Sequence, residues 1–384
     1  MTAAAELRLD LAGLRTAPAQ VWGGIRLVPL VRDAPVPGLR LHREQYGEGY
    51  GVVDVAPHTV YTSYIPHGFV ADWSGAGDAA AYGTQLRGEQ AAASTSARVP
   101  VEAVPVRVHR RMARRQGRRR LRFLPLHLAL EGYLALHFGG PAVAWEEWSQ
   151  RALRRGLSPR VEEAYAGLEV QGLGDALRVF EIHPGQCGLL LYTADALTAA
   201  FAVPHPDDYR ALHATLVHDL YGELVHHYAL LSAPVPDFVP RLDAAAVSST
   251  ADLRAALAGQ RAAWADFHAG TMAAGLLAPA YAARTVHRAG DFTLLRFLPA
   301  FRPRTENHVG EAITTADGRL AYLKTFRLSE AQTRRGHLLS TLAAHDWSLP
   351  RAAEALGRSE ADLRTRLAGA GFAALLKHRP HAPR

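Results

Sequence analysis

Acidic and imidazole side chains recur within one predicted helix at a spacing that catalysis or metal binding can use. Residues 207–231 read DDYRALHATLVHDLYGELVHHYALL, and positions i, i+4, i+7 and i+8 are occupied by Asp219, Glu223, His226 and His227. On a helix this spacing brings carboxylates and imidazoles to one face, where they could bind a metal ion or transfer protons. No HExxH or comparable zinc motif is present. The alternative is the solvated face of an amphipathic helix, and we predict neither a metal site nor a cofactor.

A second candidate for chemistry is the single cysteine. Cys187 follows His183 and Gln186, an order that suits a nucleophile with a neighbouring base. A lone thiol that leads into an apolar strand is more often a buried packing residue. No GxSxG segment occurs, so we assign no catalytic residue. One cysteine permits no disulfide within the chain, which favours a reducing, cytoplasmic location.

Aromatic and polar residues are concentrated in residues 64–86, which read YIPHGFVADWSGAGDAAAYGTQL. Ligand pockets use aromatic rings for contact area and a few polar groups for orientation. The candidate pocket residues are His67, Asp72, Trp73, Tyr82 and Gln85. The alternative is a strand-loop-strand with core aromatic rings and turn glycines. The glycine spacing fits neither a phosphate loop nor a dinucleotide fingerprint.

The strongest charge run is a series of arginines between residues 107 and 122. Several recur at i, i+4, so a helix would present two adjacent basic rows to the phosphates of a nucleic acid or a nucleotide. The candidate polyanion-binding residues are Arg110, Arg111, Arg114, Arg115, Arg118 and Arg119. Like charges at this spacing repel and Gly117 weakens a helix, so a solvated loop is the alternative.

Residues 334–377 contain the clearest pattern for binding. They fit three helices: one over about 334–345, a second that begins after Ser348, and a third that begins after Ser359. A pair of small residues at 352–353 and a Leu-Gly turn at 356–357 suit a helix-turn-helix, because its helices must cross closely. The segment resembles the Fis-type helix-turn-helix at these positions and at Leu363 and Leu367. The candidate DNA-binding residues are Arg351, Arg358, Ser359, Arg364 and Arg366.

The segment also departs from the Fis-type pattern. Glu360 and Asp362 stand where that family usually has Arg and Thr, and Arg358 replaces an aliphatic residue. Carboxylates at the start of a reading helix repel phosphate, although they can accept a hydrogen bond from cytosine and they complement the helix dipole. The segment predicts contact with DNA, and a protein contact or a structural tail are its alternatives.

The length, composition and net charge of the chain limit the number of domains and the classes of partner. A chain of 384 residues is long enough for two or three domains, and its net charge of +7 permits contact with a polyanion without proving it. The excess of arginine over lysine, with abundant alanine and glycine, suggests a high-GC bacterial genome, which explains part of the basicity. The chain has no run of 18 apolar residues, and its first twenty residues lack the apolar core of a signal peptide.

Short extended segments dominate the start of the chain. We predict strands at residues 21–31, 39–46, 50–55, 59–65 and 68–73, with Pro29 marking an edge strand or a bulge. We also predict a hairpin from residues 177–182 and 187–192. After a proline-rich linker at 233–240, a capping box predicts a helix over about 250–277 with its apolar stripe at Leu253, Leu257, Trp264 and Phe267. Strands follow at 292–297, 310–315 and 319–326, the last two joined by Asp317-Gly318.

The segments HPGQCGLLLY and ALTAAFAVPHPDDYRALHATLVHDLYGELVHHYAL resemble the end of the ARPP domains, the ADP-ribosylglycohydrolase- and rhodanese-phosphatase-associated protein domains of bacteria. The matching positions are Gln186, Gly188, Phe201, Tyr209, Tyr228 and Ala229. The segments VWGGIRLVPLV, YTSYIPHGFV and YGTQL are similar to the second type of this family, and the resemblance covers roughly residues 15–235. It implies a pathway that uses NAD or ADP-ribose and leaves the reaction open.

These patterns together predict an α+β protein with an ARPP-like domain at 15–235, a helix plus β-hairpin module at 236–328 and a helix-turn-helix-like domain at 329–384. The first hypothesis is a cytoplasmic bacterial regulator or accessory protein whose ARPP-like domain binds a ligand or partner and whose end touches DNA, as a homodimer if it follows other helix-turn-helix proteins. The second is an enzyme or binding protein for NAD- or ADP-ribose-type nucleotides. The third is a protein-interaction scaffold.

Overall fold

The computed structural model describes residues 5–45, 183–215, 228–229, 232–236, 241–370 and 372–376, together with the backbone of six short strands between residues 51 and 123. The strands in chain order are β1 Ala5–Arg8, β2 Leu14–Thr16, β3 Gln20–Trp22, β4 Ile25–Arg32, β5 Arg40–Gln45, β6 Gly51–Ala56, β7 Thr59–Ser63, β8 His67–Asp72, β9 Thr84–Arg87, β10 Ala113–Arg115, β11 Leu121–Phe123, β12 Gln186–Thr193, β13 Ala196–Ala202, β14 Ala280–Ala289, β15 Phe292–Leu298, β16 His308–Thr315 and β17 Leu320–Arg327. The helices are α1 Pro206–Thr215, α2 Thr250–Asp266, α3 Ala274–Leu277, α4 Glu330–Ala344, α5 Leu349–Ala355 and α6 Glu360–Gly369, with a π-helical turn at Phe267–Met272 and 3₁₀ turns at Ala244–Ala246 and Ala373–Leu376. This confirms the predicted α+β class.

A ten-stranded antiparallel sheet organises the described part of the chain. Its strand order is β1-β14-β15-β16-β17-β13-β12-β4-β2, and β3 pairs with β4 beside β2. Every residue of β4 and β12 is buried, so both faces of the sheet are covered at its centre. Three smaller groupings, β5-β8-β9, β6-β7 and β10-β11, lie off this sheet.

Residues 21–31 form a hairpin, so the prediction of one continuous strand was wrong. The chain turns at Gly23, whose φ of +55° favours glycine, and β3 then pairs with β4. Pro29 lies opposite Leu189 of β12, so the edge-strand alternative was wrong, whereas a register shift at Gln186/Gly188 beside Pro29 agrees with the bulge alternative. The carbonyl of Pro29 accepts a hydrogen bond from Ala17 N at 2.9 Å. Because the N and C=O of a strand residue point to the same side, the missing N–H of Pro29 faces the gap between β2 and β3, where it breaks no ladder bond.

The hairpin predicted from residues 177–182 and 187–192 was wrong in its pairing. Strand β12 pairs with β13 on one edge and with β4 on the other, so no edge is left for residues 177–182. The β12–β13 turn is made by Ala194 and Asp195, both with positive φ, as a two-residue hairpin requires.

The sheet crosses the boundary proposed between residues 235 and 236. Strand β13 pairs with β17, and β1 pairs with β14. The proline-rich segment also contacts the first hairpin, because Val235 N donates to Gly23 O at 2.9 Å. Gly24 N donates to Tyr228 O, before this segment, at 2.7 Å. The strands on either side of this boundary therefore belong to one sheet.

Helix α2 begins where its capping box predicts, because the Ser249 hydroxyl accepts a hydrogen bond from Asp252 N. Its predicted apolar stripe is only partly covered: Leu257 and Trp264 are half-buried, whereas Leu253 and Phe267 are exposed. The side chain that packs into the core lies in the turn that follows α2. The π-helical turn directs His268 into the core, where it is fully buried.

Strands β15, β16 and β17 match the prediction closely, whereas β14 was not predicted. Strands β16 and β17 are joined through Gly318, whose φ is +83°. The three helices predicted for the end of the chain are present as α4, α5 and α6. Ser329 and Gln332 form a complete capping box at the start of α4. Among the described residues, no helix has both the length and the apolar character needed to cross a membrane.

Residues 330–376, here named the C-terminal helical unit, share one hydrophobic core with the sheet. Leu339, Leu342 and Leu367 belong to the same buried cluster as the strand residues. The contact is tightest at α4, where a Cβ added to Gly336 would overlap the ring of Phe301. Glycine at this position therefore lets α4 pack directly on the loop between β15 and β16.

Candidate functional site

Helix α6 is the most outward-facing helix of the C-terminal helical unit. Only Leu363 and Leu367 are buried along its length, at the i, i+4 spacing of a narrow stripe. Arg364, Thr365 and Arg366 are exposed on the remaining surface. The helix therefore presents most of its circumference to solvent.

The turn before α6 is set by local chemistry. Gly357 has a φ of +62°, its N–H donates to Glu354 O at 2.9 Å, and Arg358 N donates to Ala353 O at 2.9 Å. These two bonds form a Schellman motif, which ends α5 at the predicted glycine. Ser359 then caps α6 by accepting a hydrogen bond from Asp362 N at 3.2 Å. The predicted order of helix, Leu-Gly turn and capped helix is thus present.

The arginines near the start of α6 are all paired with carboxylates. Arg358 and Arg366 donate to Asp362 at 2.9 and 3.1 Å, and Arg364 lies 2.6 Å from Glu360. The hydrogen bond from Arg358 and the nearby charge of Arg366 lower the pKa of Asp362. The two carboxylates that depart from the Fis-type pattern therefore serve as partners for basic side chains. Their i, i+4 spacing was visible in the sequence, and we missed it.

The resulting surface is close to neutral. Between residues 330 and 369, arginines exceed carboxylates by one. Arg351, on α5, lies 3.8 Å from Asp346. The five candidate DNA-binding residues are thus brought together on α5, α6 and the turn between them, but with little excess positive charge.

The other predicted site residues are placed less completely. His67 and Asp72 lie on β8, and Gln85 lies on the adjacent strand β9, which pairs with β8 in parallel. Trp73 and Tyr82 lie outside the described residues. The proposed pocket is therefore neither assembled nor excluded by the described residues.

The arginine-rich segment contains strand rather than helix at its centre. Arg114 and Arg115 belong to β10, and Arg114 pairs in register with Arg122 of β11. The predicted i, i+4 basic rows therefore do not form there, because alternate residues of a strand point to opposite faces. The remaining candidates Arg110, Arg111, Arg118 and Arg119 lie outside the described residues, as do Asp219, Glu223, His226 and His227.

Cys187 is a core residue. Its side chain is fully buried, and burial raises its pKa to about 11, so the thiol is protonated at neutral pH. The neighbours that suggested a base hold the turn instead: His183 Nδ1 accepts from Gly185 N, and Gln186 donates to Gly188 O. In the described part of the chain, no three His, Cys, Asp or Glu side chains are grouped so that they could hold a metal ion.

Comparison with protein-family models matches residues 9–290 to the model named ARPP-2. The chain belongs to the ARPP-2 family. The ARPP-2 match is longer than the predicted 15–235 and includes α2 and β14. Comparison with curated proteins and with solved structures gave no match.

The end of the ARPP-2 match coincides with a turn of the sheet. Gly290 connects β14 to β15, and β15, β16 and β17 fill the space between β14 and β13. The C-terminal helical unit follows these strands and lies beyond the match. The family match therefore covers residues 9–290 and does not include α6.

Proposed function

We propose that this ARPP-2 protein is a cytoplasmic bacterial regulator or accessory protein that binds duplex DNA through α6. The observation that supports this proposal is the outward position of α6, which is fixed to the core by Leu363 and Leu367 alone. A helix held by one narrow stripe behind a tight turn has the form of a reading helix, which enters the major groove.

The ion pairs on α6 are compatible with this role. Pairs between exposed side chains contribute little to stability, because both groups remain solvated and screened by salt. Arg364 and Glu360 are each about half exposed, so the guanidinium can exchange its carboxylate for a phosphate at small cost. The pairs also hold the arginines extended along the helix before DNA arrives.

The carboxylates set the expected mode of contact. Glu360 and Asp362 occupy the first turn of α6, where they oppose phosphate at the helix N-terminus. The favourable phosphate contacts are therefore expected along the side of α6, from Arg364 and Arg366, and from Arg358 before it. We expect weak, salt-sensitive binding, since little net positive charge surrounds the helix.

The direct test is fluorescence anisotropy of labelled duplexes titrated with the full chain across a salt series. We expect binding at about 25 mM salt that weakens as salt rises, with a slope of log K against log salt of about −2 to −3 for about three phosphate contacts. Absence of binding to any duplex at the lowest salt would remove the DNA proposal. A contact with protein would then be the better account of an exposed α6.

The ARPP-2 domain would supply the regulatory input by binding a ligand or partner. Calorimetric titration of the full chain with NAD and with ADP-ribose tests one ligand class directly. Heat of binding that changes the DNA affinity would support coupling between the two parts. Heat without such coupling would favour the alternative of a nucleotide-binding protein.

A further inference from the structure

Four side chains form a closed ring between the sheet and the π-helical turn, here named the buried cage. Arg26 of β4 and Tyr192 of β12 are cross-strand neighbours, so their side chains project from the same face of the sheet. The Tyr192 and His268 rings lie 5.4 Å apart, and His268 and Trp264 lie 4.3 Å apart. The Arg26 guanidinium lies 5.5 Å from the Trp264 ring and closes the ring.

The buried cage is shielded from solvent. Tyr192 and His268 have no exposed surface, and Arg26 is 6% exposed. The charge of Arg26 is balanced at the outer side, where its Nη2 atom donates to Asp195 at 3.0 Å and to Pro236 O at 2.9 Å. Its Nε atom also faces Asp195. One nitrogen, Nη1, remains on the inner side.

Polar atoms inside the buried cage have no hydrogen-bond partner in the described structure. They are Arg26 Nη1, Tyr192 Oη, His268 Nδ1 and His268 Nε2. A buried polar group without a partner costs about 1–3 kcal/mol, so four such atoms from three touching side chains are a poor arrangement for an empty core. A bound molecule would supply the missing partners of these four atoms.

The numbers of hydrogen-bond donors and acceptors among these atoms indicate which chemical group the bound molecule carries. Arg26 Nη1 offers two N–H donors, Tyr192 offers one O–H, and a neutral imidazole offers one donor and one acceptor. Burial and the charge of Arg26 lower the pKa of His268 to about 4, so the imidazole is neutral at pH 7. Donors therefore outnumber acceptors, and the matching group is rich in oxygen acceptors.

We propose that the buried cage binds a small oxyanion, the carboxylate or phosphate group of a small molecule, through Arg26, Tyr192 and His268. Entry is from the α2 side. Helix α2 buries none of its side chains, and Phe267, which stacks on Trp264, is 42% exposed. The half-buried Trp264 ring and the exposed Phe267 ring therefore form the solvent side of the buried cage.

Tyr192→Phe is the variant that isolates the proposal. The hydroxyl of Tyr192 has no hydrogen-bond partner among the described residues, so its removal should not lower the Tm of the protein without added anion. The matched control is Tyr281→Phe. Tyr281 is equally buried, but its hydroxyl donates to Leu276 O at 2.7 Å, so this change should lower Tm under every condition.

The experiment measures thermal unfolding of the full chain while sodium chloride is replaced by sodium phosphate or sodium acetate at constant ionic strength. We expect one of these anions to raise Tm in proportion to ln(1 + [L]/Kd), so that each further increment of anion above Kd adds less, because the ligand binds only the folded state. The anion that acts distinguishes phosphate from carboxylate. The rise should fall by at least half in Tyr192→Phe and persist in Tyr281→Phe.

Three results would overturn the proposal. The first is no rise with either anion, or a rise that stays linear in anion concentration as a general salt effect does, which would leave only enclosed water as the partner of these atoms. The second is an equal rise in Tyr192→Phe and in the unmodified protein, which would place the bound anion elsewhere. The third is a lower Tm for Tyr192→Phe without anion, which would show that the hydroxyl already has a protein partner.

Discussion

At the scale of single residues, buried arginines do structural work that their charge alone would not suggest. Arg32 is 8% exposed and donates to three backbone carbonyls, those of Val203, Leu320 and Ala321, at 2.7–2.9 Å. Burial lowers the pKa of Arg32, with the coulombic influence of Cys187 acting in the opposite direction. One guanidinium therefore links the ends of three strands that are far apart in sequence.

Replacement of this arginine should be costly. We expect Arg32→Gln to reduce the free energy of unfolding by about 2–4 kcal/mol, because buried carbonyls lose their donors. The control is Arg15→Gln, whose exposed pair with Asp33 should contribute less than about 1 kcal/mol. Urea unfolding of both variants gives the comparison. Equal losses would contradict the role assigned to Arg32.

The neutral state of His268 predicts a pH dependence of stability. Burial lowers the folded pKa to about 4, below the ordinary value of 6.5, so the unfolded state binds the proton more readily. Stability is therefore complete above pH 6.5 and falls as pH drops toward 4, by about 2 kcal/mol between pH 7 and pH 5. The charged and titratable groups around the imidazole are Arg26, Asp195 and Tyr192.

Urea unfolding at pH 7 and pH 5 measures this loss. The aromatic variant His268→Phe keeps most of the volume and cannot titrate, so its loss over the same interval should be smaller by about 2 kcal/mol. His308 adds a contribution in the same direction, because its burial also lowers its pKa. An unchanged pH dependence in His268→Phe would contradict the buried, neutral state.

At the scale of elements, α6 allows the DNA proposal to be tested through its ion pairs. We expect Arg364→Gln to weaken binding of every duplex and to reduce the steepness of the salt dependence by about one, as the loss of one phosphate contact requires. The matched control is Arg334→Gln on α4. Arg334 is also exposed and paired at i, i+4, with Glu330, but it lies outside α6. Anisotropy titrations that show equal effects of both changes would remove α6 as the DNA contact.

Asp362 predicts a change in the opposite direction. Asp362→Asn should strengthen DNA binding several-fold, because it removes one negative charge and releases Arg358 and Arg366. The cap survives this change, since Ser359 bonds the backbone N–H of residue 362. Glu330→Gln, which releases Arg334 on α4, is the control and should leave the affinity unchanged. The same anisotropy titration decides, and weaker binding of Asp362→Asn would indicate that the carboxylate itself contacts a base.

The elements that the sequence predicted well depend on neighbouring residues. Capping by Ser249 and Ser359, the end of α5 at Gly357 and the turn at Gly318 follow from backbone chemistry within a few residues. Strand pairing does not, because an apolar strand such as β12 suits several partners and the choice is made by the whole sheet.

The buried cage could not be predicted from the sequence either, because its members are brought together by the whole sheet. Arg26 lies in a short apolar strand, and its partners Asp195 and Pro236 are 169 and 210 residues away. His268 gave no signal, because a single histidine after an amphipathic helix is unremarkable by spacing. The i, i+4 pairs of α6 were the exception, since their pattern was local and readable.

The whole molecule is joined where α4 meets the sheet. Gly336→Ala should destabilise the protein by about 1–3 kcal/mol, because the added Cβ overlaps the ring of Phe301 in a closed core. The control is Gly259→Ala in α2, where nothing lies near the added atom and loss of backbone freedom should stabilise by about 0.5–1 kcal/mol. Combining Gly336→Ala with Phe301→Leu should recover part of the loss. Urea unfolding that shows a gain in Gly336→Ala would mean that this contact is not closed.

A continuous core also predicts that the C-terminal helical unit and the sheet unfold together. Leu339 and Leu367 belong to the same buried cluster as the residues of β16 and β17, so opening of α4 exposes the sheet core as well. Hydrogen exchange measured by mass spectrometry should therefore give peptides from α4 and from β16 the same opening free energy, within about 1 kcal/mol. Gly336→Ala should lower both values equally. If α4 exchanges first and β16 is unaffected by the substitution, the helical unit is an independently folding attachment, and signals from the ARPP-2 body would have no rigid route to α6.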